Sequence, residues 1–467
     1  MVCLASFDQM RTPVPHSRFR YNTAQQLQDE AARLGLDLPW SDDLAALARP
    51  VRVGQALAPN ALAVHPMEGC DGTLDGQPGE LTRRRYDRFA CGGGGLLWFE
   101  ATAVTPEARA NPNQLCLTPE TQSAFAALRA SSLAAARAAL GADHRPFTVL
   151  QLAHSGRYSR PVNRPAPILA HHDGVLDRAM GLPDDYPLIS DDALDRLQDT
   201  FVAAARLAAG CGFDGVDIKS CHRYLLSELL ASHTRPGKYG GSFENRTRFL
   251  LDVVRRVRAE VPDVQLTIRL NVYDGHPYPW GWGVSEADPG APDLSEPQRL
   301  VRLLHKAGVS LVNVTAGNPY FTPHINRPFD VNVTGGYTPD EHPLTGVVRL
   351  LDLARDIKRS CPELGIVGSG YSWLRQHLGP VAAGVVTRGW ADIVGVGREA
   401  FAYPDFARDL LEHGALDRRK TCVACSRCTQ IMRDHGEAGC VPFDRAVYGP
   451  IYDRGRAASE AALRVKE

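Results

Sequence analysis

Residues 213–270 carry the pattern that decides the fold: FDGVDIK (213–219), then RFLLDVVRRVRAEV (248–261), then VQLTIRL (264–270). The outer two runs are short, apolar and rich in β-branched residues, as strands are, whereas the middle one spaces its apolar residues like a helix. Strands that pair in parallel need a long crossover between them, usually a helix. The pattern therefore predicts one unit of a parallel α/β sheet.

The same alternation runs through most of the chain. Helical segments such as SAFAALRASSLAAARAAL separate further apolar runs. Six more strands are predicted on this basis: ALAVHPM (61–67), GLLWFEATAV (95–104), FTVLQLAH (147–154), VSLVNVTAG (309–317), GIVGSG (365–370) and ADIVGVG (391–397). A doubly wound open sheet suits six strands better than eight. Eight strands favour closure, so the predicted fold class is α/β, a (β/α)8 TIM barrel.

Three long insertions have the position that a barrel enzyme would give them. Residues 155–190, 271–298 and 316–345 are rich in Pro, Gly and aromatic residues, and each follows the carboxyl end of a predicted strand. Barrel enzymes build their active sites on that face. We therefore expect these insertions to shape a substrate pocket.

The predicted barrel is flanked at both ends. Residues 1–55, which include the helical stretch TAQQLQDEAARLGL, are predicted to form an N-terminal extension that covers one barrel end. Residues 56–410 are assigned to the barrel. Residues 411–467 are assigned to a C-terminal segment that carries four clustered cysteines.

The composition is that of a globular protein with no bias in charge. The 467 residues are 44% hydrophobic and 22% charged, with a formal net charge of −1. Nucleic acids and acidic membranes both favour clustered positive charge, so neither is an expected partner. No apolar run is long enough to span a bilayer, and the N-terminus lacks the pattern of a secretory signal. The expected location is the cytoplasm.

Four of the eleven cysteines, Cys422, Cys425, Cys428 and Cys440, form the pattern C-x2-C-x2-C-x11-C. Without an export signal, such a cluster indicates metal ligands, and the seven scattered cysteines are interpreted as small core residues. A [4Fe–4S] cluster and a structural zinc ion both take four thiolates, so the metal stays open. Two C-x2-C steps that share a cysteine favour the cluster, since zinc sites usually use two separated pairs.

Three titratable side chains lie within six residues at the end of the predicted strand 213–219. They are Lys219, which ends the strand, and His222 and Tyr224, which follow it. The carboxyl end of a barrel strand is where an acid–base group is expected. In the alternative interpretation, Lys219 caps an exposed turn, and the other two side chains hydrogen-bond to backbone.

Two stretches around these residues resemble the old yellow enzyme family of flavin oxidoreductases. They are QLAHSGRYSRP (151–161) and GFDGVDIKSCHRYLLSELLASHTRPGKYGGSFENRTRF (212–249). The family's fourth strand runs into a segment of the form G-V-E-I-H-x-A-(N/H)-G-Y-L-L, followed by YGGSxENRxRF. The resemblance covers about residues 55–440. The cysteine block is similar to the subgroup of 2,4-dienoyl-CoA reductases and trimethylamine dehydrogenase, and its spacing is nearer the latter.

The resemblance implies FMN and a [4Fe–4S] cluster as cofactors, with NAD(P)H as a candidate reductant. The implied flavin-binding residues are Pro66, Met67, Glu68, Ala101, Gln151, Arg269, Ser369, Gly370, Gly397 and Arg398. Gln151 is expected at the pyrimidine side of the ring, and Arg269 beside N1 and O2, where positive charge stabilises reduced flavin. The last four residues are expected to bind the phosphate, because glycines allow backbone N–H groups to approach an anion.

The sequence departs from the family pattern at three points. Lys219 replaces the usual histidine, whereas His222 and Tyr224 are retained. Glu68 stands where the family often has Thr or Cys, and it would disfavour negative charge on the flavin. The sequence, which ends at residue 467, also lacks the FAD- and NADPH-binding domains of the larger subgroup members.

The expected activity is that of an ene-reductase. In this hypothesis Lys219 and His222 form a cationic pair that polarises a carbonyl, and Tyr224 protonates the α-carbon. Neighbouring cations are expected to lower the pKa of Tyr224 and so ease the donation.

Three alternatives stay open. One is an amine or alcohol dehydrogenase that passes electrons from FMN to the cluster, and another is an electron-transfer subunit of a larger complex. The third is an aldolase that forms a Schiff base through Lys219, which the flavin motifs oppose. Expected partners are a small-molecule substrate, a ferredoxin or flavoprotein that exchanges electrons, and further copies of the chain in a homo-oligomer.

Overall fold

The computed structural model describes residues 15–288 and 290–464. Its strands are β1 to β10 in chain order: Val51–Val53, Ala56–Ala58, Leu62–Val64, Leu96–Ala103, Phe147–Ala153, Gly215–Ile218, Gln265–Tyr273, Val309–Ala316, Gly365–Gly368 and Ile393–Val396. The last eight coincide with the eight predicted strands, so that prediction is confirmed. Cys3, one of the scattered cysteines, lies outside the described residues.

Strands β3 to β10 form a closed parallel barrel. Each strand pairs with the next in sequence, and β10 closes the ring by pairing with β3, with Val394 opposite Leu62. All eight residues of β4 are buried. A parallel sheet that is covered on both faces has such continuous apolar strands, which explains why the strands could be found in the sequence. The prediction of a TIM barrel is confirmed.

The described part of the chain contains fifteen α-helices. They are α1 to α15 in chain order: Ala24–Arg33, Glu80–Ala90, Gln122–Leu140, Leu176–Met180, Asp191–Gly210, Leu225–Leu230, Phe243–Glu260, Ser295–Lys306, Pro323–Asn326, Pro343–Ser360, Leu378–Thr387, Arg398–Ala402, Phe406–His413, Arg427–Arg433 and Arg445–Arg464. The predicted helical segments correspond to α1, α3 and α7. Among the described residues, no helix is both long and apolar enough to cross a membrane.

A short hairpin, β1 and β2, lies against the end of the barrel where the strands begin. Its buried residues Val53 and Ala58 pack in one apolar cluster with barrel residues that include Trp98 and Phe147. The sequence predicted an extension over one barrel end but not this hairpin, because three-residue strands are too short to show alternation. The division of the chain at residues 55 and 410 stays a prediction.

Strand β7 is longer than predicted. It continues to Tyr273, so residues 271–273 belong to the barrel wall and not to the insertion 271–298. The insertions themselves lie at the carboxyl ends of the strands. Arg223, in the turn after β6, ties two of them together, because its guanidinium pairs with Asp173 at 2.9 Å and with Asp274 at 3.3 Å.

The C-terminal segment packs on the same end of the barrel. The N–H of Ala438 donates to the Gly69 carbonyl at 2.6 Å, and the N–H of Asp330 donates to the Ala424 carbonyl at 3.1 Å. The Arg84 guanidinium pairs with Asp444 at 2.7 Å. These contacts place the four clustered cysteines beside the carboxyl ends of the barrel strands.

Candidate functional site

A cavity of about 490 Å³ opens at the carboxyl ends of the barrel strands. This volume suits a cofactor or a substrate of moderate size. Eleven of the residues singled out in the sequence line it: Pro66, Met67, Glu68, Ala101, Gln151, Lys219, His222, Tyr224, Arg269, Arg398 and Cys428. Residues from six barrel strands and from the cysteine segment thus meet at one place.

Three of the predicted phosphate-binding residues, Ser369, Gly370 and Gly397, do not line this cavity. The Ser369 hydroxyl donates to the Val314 carbonyl at 2.6 Å, within the barrel. Gly370 has φ +103°, which favours glycine, and a Cβ on Gly397 would lie 2.5 Å from the sulfur of Met67. Backbone conformation and packing therefore account for both glycines, and their role in phosphate binding stays a prediction.

The turn after β6 displays the acid–base group. The N–H of Lys219 still donates to the Leu152 carbonyl at 3.0 Å, as in a strand. His222 and Arg223 then adopt left-handed backbone, with φ of +65° and +58°. Such conformations are unfavourable for non-glycine residues, so they persist only when their surroundings hold them. Here the ion pairs of the buried Arg223 guanidinium with Asp173, Asp274 and Glu228 do so.

Tyr224 is 1% exposed and lies among polar side chains of the cavity. Its hydroxyl is 3.0 Å from the hydroxyl of Tyr320 and 3.5 Å from Oε2 of Glu68. The ammonium of Lys219 lies 3.4 Å from the centre of its ring. Burial, followed by the charge of Glu68, raises the pKa of Tyr224 well above its usual value. The prediction that cations lower this pKa is therefore wrong, because desolvation outweighs the nearby ammonium.

His222 is not part of a cationic pair. Desolvation, followed by the positive charges of Arg269 and Lys219, lowers the pKa of His222 well below its usual value. Its Nε2 lies 3.0 Å from Nδ2 of Asn326, and the same Nδ2 also donates to the Ala316 carbonyl at 3.1 Å. A neutral imidazole that accepts this hydrogen bond through Nε2 satisfies both contacts. The expected charge on His222 is corrected accordingly.

Lys219 and Glu68 face the cavity with opposite charges. Burial lowers the pKa of Lys219, whereas the charge of Glu68 acts to raise it. Desolvation raises the pKa of Glu68. Oε1 of Glu68 accepts a hydrogen bond from Nδ2 of Asn111 at 2.6 Å. Lys219 is thus the positive group nearest to Tyr224, and Glu68 the negative one.

Gln151 is oriented from inside the barrel by Asp217. The Nε2 of Gln151 donates to Asp217 at 2.5 Å, and the indole of Trp98 donates to the same carboxylate oxygen at 3.0 Å. Burial raises the pKa of Asp217 to about 6. This hydrogen bond uses one of the two amide N–H groups of Gln151 and leaves its carbonyl oxygen available to a ligand in the cavity.

Four arginines of the cavity wall have buried nitrogens without a hydrogen-bond partner among the described residues: Arg160 Nε, Arg269 Nε, Arg327 Nη1 and Arg398 Nη1. Desolvation and the neighbouring Arg398 lower the pKa of Arg327 to about 10. Buried polar groups are normally paired, so unpaired cations that repel one another indicate a site for an anion. A flavin mononucleotide, with its phosphate and its negatively charged reduced ring, fits these donors.

The four clustered cysteines line a second, smaller cavity that adjoins the first. Arg398, Phe401 and Cys428 form a wall common to both. All four are free thiols. No three of their sulfurs, all of which lie in the described residues, are within 4.8 Å of one another. Ala424 and Ser426, between the cysteines, have φ of +49° and +56°, which wraps the backbone around the cavity.

Sequence reasoning missed several residues of the site. Tyr158, Tyr320, Asn326 and Arg327 all line the larger cavity. Tyr158 lies inside the quoted stretch 151–161, whereas the other three lie in the insertion 316–345. No spacing pattern marks the side chains of an irregular loop that turn inward, so the sequence carried no signal for them.

The chain matches the family model described as NADH:flavin oxidoreductase / NADH oxidase family over residues 46–290, more than half of its length. It is 25% identical over 388 residues to a NADH oxidase of Thermoanaerobacter brockii, covering 80% of this chain and 52% of that protein. It is 29% identical over 351 residues to a NADPH dehydrogenase of Geobacillus thermodenitrificans, covering 74% and 87%. The chain thus spans about half the length of the first relative.

Solved structures share the fold. A 2-naphthoyl-CoA reductase complex aligns with a TM-score of 0.67 at 19% identity, covering 88% of this chain and 58% of that one. A histamine dehydrogenase from Rhizobium sp. 4-9 aligns with a TM-score of 0.63 at 20% identity, covering 85% and 52%. The old yellow enzyme homologue from Zymomonas mobilis aligns with a TM-score of 0.56 at 22% identity, covering 79% and 94%.

Proposed function

Because this chain belongs to the NADH:flavin oxidoreductase / NADH oxidase family, and so to the flavin-dependent oxidoreductases of the old yellow enzyme type, we propose that it reduces an activated C=C bond. The observation that carries this proposal is the position of the Tyr224 hydroxyl. The hydroxyl lies in the cavity, and the ammonium of Lys219 lies against the ring of Tyr224. An acid and a cation on one wall are what the reduction of an α,β-unsaturated carbonyl compound requires.

Residues that line the same cavity would hold FMN. Arg269 would neutralise the pyrimidine end of the ring, and the carbonyl oxygen of Gln151 would accept from an N–H there. The free guanidinium nitrogens of Arg327 and Arg398 would hold the phosphate. When bound, FMN supplies the hydride equivalent that the β-carbon of the alkene receives.

The substrate would be oriented by the turn after β6. Lys219 donates to the carbonyl oxygen and stabilises the negative charge that develops there. The neutral imidazole of His222 adds polarity without a second charge. Tyr224 remains protonated at neutral pH, since its pKa is raised, and it can therefore deliver its proton to the α-carbon.

The four cysteines are proposed to bind a [4Fe–4S] cluster. Two C-x2-C steps that share a cysteine suit the cluster better than a zinc ion, which usually takes two separated pairs of cysteines. A bound cluster exchanges single electrons. Because Cys428 belongs to both cavities, the cluster would adjoin the flavin, and a ferredoxin or flavoprotein would exchange electrons with it. NAD(P)H is the other proposed reductant.

A second candidate, oxidation of an amine, is favoured by one observation. Glu68 lies with Tyr158, Tyr224 and Tyr320 around the same cavity. A carboxylate among aromatic faces suits an ammonium group. The ammonium of Lys219 already occupies the face of Tyr224, however, and this ranks the amine second.

One experiment separates the two candidates. The protein loaded with FMN and reduced anaerobically is mixed with 2-cyclohexenone, and the oxidised protein is mixed with benzylamine. We expect the enone to reoxidise the flavin and the amine to leave it oxidised. Reduction of the flavin by benzylamine, with no reoxidation by the enone, would overturn the ene-reductase proposal.

A further inference from the structure

This inference rests on the proposed function, in which Tyr224 is the acid. Tyr224 must then regain a proton after every turnover. Each turnover removes its hydroxyl proton, which must be replaced before the next. The side chain is 1% exposed, so bulk water has almost no direct access to it. A second group must therefore connect its hydroxyl to solvent.

Two groups lie near enough to the Tyr224 hydroxyl to exchange a proton with it. The Tyr320 hydroxyl is at 3.0 Å, a normal distance for an O–H···O hydrogen bond. Oε2 of Glu68 is at 3.5 Å, the limit for such a bond, and its other oxygen is engaged by Asn111. The geometry therefore favours Tyr320.

Tyr320 contacts the hydroxyl of the buried Tyr224 and is itself partly at the surface. It is 44% exposed and belongs to the loop between β8 and α9. Its ring stacks on Tyr158 with 4.0 Å between the ring centres. Nδ2 of Asn318 donates to the Tyr158 hydroxyl at 2.7 Å, and Oδ1 of Asn318 accepts from the N–H of Tyr320 at 3.0 Å. These contacts hold the Tyr320 hydroxyl beside that of Tyr224.

We propose that Tyr320 is the relay through which Tyr224 recovers its proton from solvent. The O–H bond of Tyr224 breaks as its proton forms the new C–H bond of the product, which leaves a phenolate. Tyr320 passes its hydroxyl proton to that oxygen and takes one from water or from a dissolved acid. For each product molecule the relay consumes one solvent proton, and the hydride equivalent comes from reduced FMN as in the proposed function.

The relay predicts a difference between the first turnover and the later ones. In Tyr320→Phe the ring remains, and Tyr224 still carries its first proton. Reduced protein mixed once with 2-cyclohexenone should therefore reoxidise at close to the wild-type rate. With reductant in excess, the steady-state rate should fall about 10-fold or more, since positioned proton donors contribute at least that much. Added imidazole at constant pH should restore the steady-state rate.

Tyr186→Phe is the matched control. It loses a tyrosine hydroxyl that donates to the Pro167 carbonyl at 3.0 Å and lies outside the cavity and the proposed relay. Its first and later turnovers should match those of the wild type and should not respond to imidazole.

Two results would overturn the relay. One is a steady-state rate of Tyr320→Phe equal to that of the wild type. The other is an equal fall in both rates without rescue by imidazole, which indicates a role in substrate positioning alone. If the wild-type protein fails to reoxidise with 2-cyclohexenone or any other activated alkene, the proposed function falls and the relay with it. These outcomes are distinct, because only the last concerns the wild type.

Discussion

The turn after β6 and the cysteine segment both contain unfavourable left-handed backbone, but they differ in what stabilises it. Both contain adjacent or nearly adjacent non-glycine residues in left-handed conformation, His222 and Arg223 in the first, Ala424 and Ser426 in the second. The turn is held by the protein itself, through the ion pairs of Arg223. The cysteine segment instead surrounds a cavity lined by four free thiols. The turn after β6 is thus held by the protein's own contacts, whereas the proposed role of the cysteine segment is to hold a ligand.

The largest effect should come from breaking the cysteine segment. Cys425→Ala removes one proposed cluster ligand, so we expect loss of the iron and of all turnover with a one-electron partner. The flavin should remain reducible by dithionite, because the turn and the flavin cavity do not depend on the cluster. Electron paramagnetic resonance and steady-state assays measure both results.

Cys91→Ala is the control for this change, since Cys91 is a partly exposed free thiol outside both cavities. Unchanged one-electron turnover in iron-free Cys425→Ala would show that the segment has only a structural role.

Within the turn, Tyr224→Phe should have the next largest effect. The change removes the proposed proton donor and keeps the ring, so flavin reduction should continue. Reoxidation of reduced flavin by an activated alkene should slow by about 10²–10⁴-fold, which is what a positioned general acid contributes. Stopped-flow absorbance measures both steps, with Tyr186→Phe as the control, because Tyr186 lies outside the cavity. If Tyr224→Phe were reoxidised at the wild-type rate, oxidation of an amine would become the better supported function.

Arg223→Met tests whether the turn is held by the protein's own contacts. Loss of the guanidinium removes the cation that pairs with the buried carboxylate of Asp274 and one of the two partners of Asp173, which keeps His276 at 2.8 Å. This should lower the free energy of unfolding by about 3–5 kcal/mol. Arg206→Met is the control, because the exposed Arg206 pairs with Glu260 at the surface and should contribute at most about 1 kcal/mol. If Arg223→Met and Arg206→Met lowered the free energy of unfolding in urea equally, the ion pairs of Arg223 would not hold the turn more strongly than a surface ion pair does.

The smallest effect concerns Asp217, which accepts a hydrogen bond from Gln151 inside the barrel. Burial raises the pKa of Asp217 to about 6. A carboxyl whose pKa is raised in the folded state contributes stability below about pH 4 that is lost as the pH rises through about 6. For a shift of this size the loss is of the order of 3 kcal/mol. The difference in unfolding free energy between Asp217→Asn and wild type should therefore change in this window. A constant difference would mean that Asp217 does not titrate there.

The barrel could be predicted from sequence because strands that are buried on both faces consist of consecutive apolar residues. The motif also identified Lys219, His222 and Tyr224, which the fold brings together at one cavity, whereas their acid–base role stays a prediction. The protonation states could not be predicted, since neighbouring charges suggested one direction for Tyr224 and desolvation imposed the other. Tyr320 and Arg327 were missed because they come from an irregular loop, where only the folded chain shows which side chains turn inward.

The contents of the two cavities test the account most directly. The protein purified without oxygen should contain one non-covalent FMN and about four irons per chain, as a [4Fe–4S] cluster requires. Cys425→Ala should retain the FMN and lose the iron. Zinc in place of iron, or a chain that binds no FMN, would contradict the account.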